Sequence, residues 1–339
     1  MKLSIGIVGL PNVGKSTLFK VLTKQEVNIA NYPFATIDPN VGVVSVPDER
    51  LNKLTEMSRS AKTVPAIVEF YDIAGLVKGA NKGEGLGNKF LSHIRETQAI
   101  VIVLRVFGGS EIVHVENTVD PVRDMEIINT ELALKDLETV GKRLISVEAE
   151  VRAGKKGAAE EKEMLFRAKE ALEEGASLIS SKQHTNILEN VGMLSLNLLT
   201  AKKQIYLLNG NDVEVSPELI EKIKSAGGDY VVVNLAEPKA DVIDELIKKA
   251  YEVLGLISFF TTGEDETRAW TVRSGAKAPE AAGVIHTDFE KNFIRAEVVF
   301  FGKLMEAGGW NQAKQKGWIR LEGKEYVVAD GDVMVVRHG

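Results

Sequence analysis

Apolar residues gather into short runs at Leu3 to Val8, Ile67 to Tyr71, Ala99 to Leu104, Gln204 to Leu208 and Tyr230 to Val233, and most segments between them read as helix or loop. Strands alternating with helices predict an α/β fold with a mostly parallel sheet. The rhythm breaks between the third and fourth runs, where about a hundred residues intervene, mostly helical in pattern. Within that stretch Leu137, Val140, Leu144, Val147 and Val151 step by three and four, the seam of a coiled coil. A second amphipathic run, Leu165, Ala168, Leu172, Ala176 and Ile179, follows the polar turn Ala153-Gly154-Lys155-Lys156-Gly157. Two antiparallel helices are expected, either as packing alone or as an arm for a partner with Lys155 and Lys156 at its tip. After about residue 255 short β-type runs take over: Phe259 to Thr262, Trp270 to Val272, Ala296 to Phe301 and Tyr326 to Val328. The pair Asp330-Gly331 before Val333 to Val336 predicts a hairpin. The expected division is 1–123 with 200–255 as the α/β domain, 124–199 as an inserted helical hairpin, and 256–339 as a small β-rich module.

The first apolar run leads into Gly9-Leu10-Pro11-Asn12-Val13-Gly14-Lys15-Ser16-Thr17, a full G-x-x-x-x-G-K-S phosphate loop, and Leu18, Phe19, Val21 and Leu22 then supply the apolar face of a helix. Backbone N–H groups from Asn12 to Thr17 converge on a polyphosphate, aided by the positive end of that helix. Pro11 has no N–H to add. Lys15 reaches the β- and γ-phosphates and the Ser16 hydroxyl completes a Mg²⁺ shell. The ligand expected is a nucleoside triphosphate.

Further elements fit that ligand. Asp72-Ile73-Ala74-Gly75 closes the second run as a D-x-x-G element: Asp72 holds Mg²⁺ through water and the Gly75 amide faces the γ-phosphate. The glycine-rich stretch Gly79 to Gly87 reads as a switch, and Thr36 as a second hydroxyl for Mg²⁺. Leu76 stands where Ras-like enzymes carry the glutamine that orients water, so slow unaided hydrolysis is expected. Base reading falls to Asn209-Gly210-Asn211-Asp212 after the fourth run. The Asp212 carboxylate suits guanine N1 and N2, whereas the Asn211 amide serves either purine.

Composition narrows the class. In 339 residues, 44% are apolar and 27% charged, ordinary globular values that suggest two or three domains. A first strand starting at once leaves no room for a secretory leader, the longest apolar run is too short for a bilayer, and zero cysteines exclude thiolate metal sites; cytoplasm is the expected compartment. A net charge of −6 disfavours a general nucleic-acid binder. His93, His114, His184, His286 and His338 lack ligand spacing, and Trp270, Trp310 and Trp318 read as anchors of small cores, with RNA stacking as the other use.

The chain resembles the YchF-type, or Obg-like, ATPases of the translation-factor-related GTPase class. The marks are Asn31-Tyr32-Pro33-Phe34, Asp72-Ile73-Ala74-Gly75-Leu76-Val77, Lys82 to Asn88, and Asp120-Pro121-Val122-Arg123-Asp124. Arg268-Ala269-Trp270 and Ile285 to Lys291 are similar to the family's C-terminal TGS module, a β-grasp. The resemblance implies ATP as the preferred substrate, Mg²⁺ on Ser16 and Thr36, Gly210 against the base, K⁺ near Asn12, and association with the ribosome or its large subunit, with RNA contacts through the TGS and helical modules; GTP is the alternative, favoured by Asp212. The departures are Asp212, where relatives commonly have glutamate, Ile102, where some have histidine, and a shorter insert.

Overall fold

The computed structural model describes residues 4–24, 40–73, 94–108, 119–175, 178–179 and 191–339. Thr36, Gly75, Leu76, the Gly79 to Gly87 stretch, His93, His114 and His184 lie outside the described residues. In chain order the strands are β1 (Ser4–Val8), β2 (Val41–Ser45), β3 (Lys62–Val64), β4 (Ile67–Asp72), β5 (Ala99–Arg105), β6 (Lys203–Asn209), β7 (Asp229–Val233), β8 (Leu256–Thr262), β9 (Glu266–Arg273), β10 (Phe293–Phe300), β11 (Arg320–Glu322) and β12 (Asp332–His338). The helices are α1 (Lys15–Thr23), α2 (Glu49–Ser58), α3 (Pro121–Arg152), α4 (Ala158–Glu173), α5 (Val191–Ser195), α6 (Pro217–Ser225), α7 (Ala240–Val253), α8 (Ala278–Ile285), α9 (Thr287–Lys291), α10 (Phe301–Ala307) and α11 (Trp310–Gln315).

Contacts divide the chain into two compact units, one of residues 1–25, 36–42 and 69–246, the other of residues 26–35, 43–68 and 247–339. In the first, β4, β1, β5, β6 and β7 lie side by side in that order. Every pairing among these five is parallel, with registers such as Ile7↔Asp72, Val8↔Ile102, Leu104↔Leu208 and Leu208↔Val232. β1 and β5 are buried along their whole length and β6 after its first residue, Ile5, Ile7, Val101, Ile102, Leu207 and Leu208 being fully inaccessible, which is why they read as apolar runs, whereas β7 at the edge alternates. Parallel pairing brings their carboxyl ends to one edge.

The insert follows the expected seam. Asp120 caps α3, its carboxylate accepting from Arg123 N at 3.0 Å, with Pro121 pre-set for the first turn. Gly154 and Gly157 reverse the chain at φ of 70° and 82°. Val140 and Val147 of α3 then bury against Leu165, Ala168 and Leu172 of α4. Arg143 clamps the pair between Glu150 and Glu161, each at 2.6 Å. The second helix stops at Glu173, so Ile179 falls in a turn rather than on the expected helical face. At the foot of the hairpin the buried carboxylate of Asp136 accepts from Leu199 N, Thr200 N and the Thr200 hydroxyl, fixing the entry to β6.

The second unit holds a sheet in the order β11-β10-β12-β8-β9-β3. Phe259 and Phe260 are neighbours on β8 and both are fully buried, so both faces of this sheet are covered. Phe259 joins the cluster of Ala278, Ala281 and Ala282 on α8, whereas Phe260 lies under Arg50 of α2, whose guanidinium sits 5.2 Å from the ring centre. The expected boundary at residue 256 therefore meets a difference: α2 and β3, from the first third of the chain, pack in this unit. Three local expectations are corrected. Tyr326 to Val328 forms only an isolated bridge from Val327 to Lys277, and β12 pairs with β10 and β8 instead of closing a hairpin after Asp330-Gly331, because the segment's backbone is engaged elsewhere: Val328 N donates to Ala276 O (2.9 Å) and Tyr326 O accepts from Ala278 N (2.8 Å). Phe301 opens α10 rather than ending β10.

Candidate functional site

The carboxyl ends of β1, β5, β6 and β7 surround a cavity of about 620 Å³ lined by Asn12, Gly14, Lys15, Ser16, Thr17 and Phe107, and by Asn209 to Asn211 and Asn234 to Ala236. Ligands of open parallel sheets settle at this edge. Strand spacing sets the span: β6 and β7 lie two and three strands from β1, about 10–14 Å, the distance from a phosphate cradle to a base.

At the cradle end the backbone is held in conformations that only a few residues tolerate. Asn12 has φ of 62° and Gly14 of 109°. A Cβ on Gly14 would also lie 2.5 Å from the Asn209 amide nitrogen. Lys15 is buried, and its ammonium donates to Leu10 O at 2.7 Å. Burial lowers its pKa to about 8, with Asp72 pulling the other way. Asp72, at the end of β4 in register with Ile7, is raised by burial and lowered by the Lys15 charge. An anionic ligand would repay the desolvation of Lys15, and a cation that of Asp72. Ser16 is exposed at the cavity, and no acidic residue occupies the first turn of α1. One hydroxyl and one carboxylate fit a Mg²⁺ that keeps most of its ligands as water and phosphate oxygens. Among the described residues no cluster of three or more His, Cys, Asp or Glu offers a full protein cage.

At the other end, Asn209 ties three loops together. Its amide donates to Val13 O (2.9 Å) and its oxygen accepts from Leu235 N (3.1 Å). Val13 itself is buried behind the loop rather than on the cavity wall. Gly210 has φ of 156°, and a Cβ there would meet Val106 at 2.5 Å, so the close approach to the β5 loop requires glycine. The fully buried Arg105 sets the wall beside it, its Nε donating to Phe107 O (3.1 Å) and its guanidinium stacking 4.3 Å from the Phe107 ring centre.

Of the residues expected from the sequence, the structure brings Asn12, Gly14, Lys15, Ser16, Thr17, Asn209, Gly210 and Asn211 to one cavity, with Asp72 in electrostatic range of Lys15. Asp212 is not on its wall: it opens the exposed turn Asp212–Glu214, where Glu214 accepts from Asn211 N at 2.8 Å. The sequence reading missed Phe107, Asn234, Leu235 and Ala236. Their signal was topological, since each follows a parallel strand that ends at the ligand edge.

Comparison with known proteins agrees with this geometry. Residues 4–145 match a family described as 50S ribosome-binding GTPase, and residues 256–339 match the YchF GTPase C-terminal family, described as a protein of unknown function (DUF933). The chain is 47% identical to "Ribosome-binding ATPase YchF" of Bacillus subtilis (strain 168), over 99% of each protein. The chain belongs to the YchF family. The Escherichia coli O157:H7 relative of that same name is 44% identical over 98% of each, and "Obg-like ATPase 1" of Oryza sativa subsp. japonica is 41% identical over 98% of this chain and 91% of the relative. The solved Schizosaccharomyces pombe YchF GTPase superposes with a TM-score of 0.82 at 39% identity, covering 99% of this chain and 98% of that one. Membership accounts for the P-loop GTPase domain and the distinct C-terminal module together.

Proposed function

We propose that this YchF-family chain binds and slowly hydrolyses ATP with Mg²⁺, and that the nucleotide state governs its association with the ribosome, at the large subunit, in the cytoplasm. The observation that carries the reading is the single cavity joining the Lys15 cradle to the amide-lined end at Asn209 to Asn211 and Asn234. The relatives' names point the same way.

In that reading the amides from Asn12 to Thr17 and the Lys15 ammonium hold the polyphosphate, Lys15 leaving Leu10 O to do so. Ser16, Thr36 and, through water, Asp72 would hold Mg²⁺, which neutralises phosphate charge when bound. Asn12 would place K⁺ beside the same oxygens. The γ-phosphate draws in Thr36 and the Gly75 amide, and with Leu76 in place of glutamine the attacking water is poorly oriented, so turnover is slow. A GTP-preferring switch rests on Asp212, and that carboxylate does not line the cavity. Ribosomal RNA is the partner suggested by Lys155 and Lys156 at the exposed tip of the hairpin, and by Trp318, whose ring has Lys303 and Lys316 ammonium groups 4.5 and 4.4 Å from its centre.

The test is phosphate release from Mg·ATP and co-sedimentation with 50S subunits, measured for the wild type and for Lys15→Ala. Slow release that Lys15→Ala abolishes, together with nucleotide-dependent sedimentation, is the expected outcome. Release that is absent with and without ribosomes would overturn the ATPase reading.

A further inference from the structure

We infer that Asn234, at the carboxyl end of β7, is a purine-discriminating residue that reads the edge of adenine and disfavours guanine. The inference deepens the ATP reading above and rests on it.

Four groups form a chain along the base end of the cavity. Glu214 accepts from Asn211 Nδ2 (3.2 Å), Asn211 Oδ1 faces Asn234 Nδ2 at 3.5 Å, and Asn234 Oδ1 accepts from Ala236 N (3.1 Å). The two ends fix the polarity. A backbone N–H can only donate, so the Asn234 atom facing Ala236 is oxygen and the atom facing the cavity wall is the NH₂ group. A carboxylate can only accept, which orients Asn211 in the same sense.

Each amide keeps one hydrogen outside this chain, and the 3.5 Å contact is long enough for a ligand to open. Opened, that contact leaves the Asn234 Nδ2 donor beside the Asn211 Oδ1 acceptor, the complement of adenine, which pairs its N6 donor with an N1 or N7 acceptor. Guanine presents two donors, N1–H and N2–H, on the corresponding edge, and the matching partner for that pair is a carboxylate. Among the described residues no carboxylate lines the cavity: Asp212 is on the exposed turn, and Glu214 is held by the Asn211 backbone and side chain.

The decisive variant is Asn234→Asp, which keeps the oxygen that caps Ala236 N and replaces only the donor. ATP, GTP and inorganic tripolyphosphate, each with Mg²⁺, compete against a fluorescent nucleotide on the full chain. The expected result is at least a tenfold fall in the ATP-to-GTP affinity ratio with tripolyphosphate affinity unchanged. Asn234→Ser, which also retains an acceptor but has no amide, should weaken ATP several-fold without strengthening GTP. An unaltered ATP-to-GTP ratio in both variants overturns the role of Asn234 and leaves the ATPase reading standing. A wild-type chain that binds neither nucleotide overturns both.

Discussion

The two sheets of this protein solve opposite problems. The first unit's sheet is built around β1, β5 and β6, buried on both faces, is all parallel among β4, β1, β5, β6 and β7, and carries the cavity in its loops at one edge. The second unit's sheet is finished by β3, which pairs in parallel with β9 at Lys62↔Glu266, Thr63↔Thr267 and Val64↔Arg268, about two hundred residues away in sequence. In one region the chemistry sits where the strands end; in the other the long-range pairing is itself the feature. The segment that supplies α2 and β3 runs between β2 and the strand that ends in Asp72. Changes aimed at each region should separate them.

The largest effect is expected at the cradle. Lys15→Ala removes a charged donor to the polyphosphate, a loss of about 3 kcal/mol, or roughly a hundredfold in affinity. Titration calorimetry with Mg·ADP measures it. Thermal stability should hold or rise, because the buried ammonium carries a desolvation cost that alanine lacks. A variant that lost stability instead would mean that the Lys15 to Leu10 bond, rather than ligand binding, is the residue's main contribution.

Next comes Arg50, the counterpart in the second unit. Its guanidinium bonds Asp48 (2.7 Å) and Asp330 (2.6 Å) and covers Phe260, and these partners hold its pKa above the ordinary arginine value despite desolvation. Asp330 also accepts from Ser258 N at 2.9 Å, so the network reaches the backbone of β8. Arg50→Ala should cost about 2 kcal/mol, read as a lower urea midpoint. Nucleotide affinity is expected to stay within twofold, and a larger change would break the separation between the regions.

How far the sequence disclosed each region follows from the range of the interactions. The phosphate loop is local: φ at Asn12 and Gly14, the strand before and the helix after are all encoded within about twenty residues. The helical hairpin was legible for the same reason, as Val140, Val147, Leu165, Ala168 and Leu172 do form one buried cluster. β3 was not legible. It is three residues long, its first two are exposed, and its partner strand cannot be inferred from any local period. The base end was half legible. Asn209 and Gly210 matched a motif position, but Asp212 was assigned by spacing alone, and the capping of Asn211 by Glu214 turns the chain outward there. Asn234 to Ala236 carry no motif and became visible only when β7 was placed beside β6.

A smaller effect separates the regions by pH. In the free protein Lys15 loses its proton near pH 8, well below the 10.5 of an unburied lysine, chiefly through burial. Between those values the unfolded chain binds more protons than the folded one, so stability of the free protein should rise with pH across that window. Nucleotide binding runs the other way. The polyphosphate needs the ammonium, so above about pH 8 binding must take up a proton, and affinity should fall by about 1.4 kcal/mol per unit. Calorimetry in two buffers of different ionisation enthalpy counts that proton; zero uptake at pH 9 would mean the ammonium stays charged in the free protein.

The smallest expected effect falls on the junction of α2 and β3, where the second unit recruits its distant strand. Ser60 Oγ donates to Gly263 O (2.6 Å) and meets Thr267 Oγ1 at 2.7 Å, while Ala61 N donates to Glu264 O (2.8 Å). Thr267 is fully buried and keeps a second partner in Thr262, so Ser60→Ala should cost only about 1 kcal/mol rather than the full penalty of an orphaned hydroxyl. The loss should appear as faster amide exchange along β3 and β9, with β5 and β6 of the other sheet unchanged. Equal acceleration in both sheets would mean that the chain opens as one cooperative body, and that the contrast between a local and a borrowed sheet has no counterpart in stability.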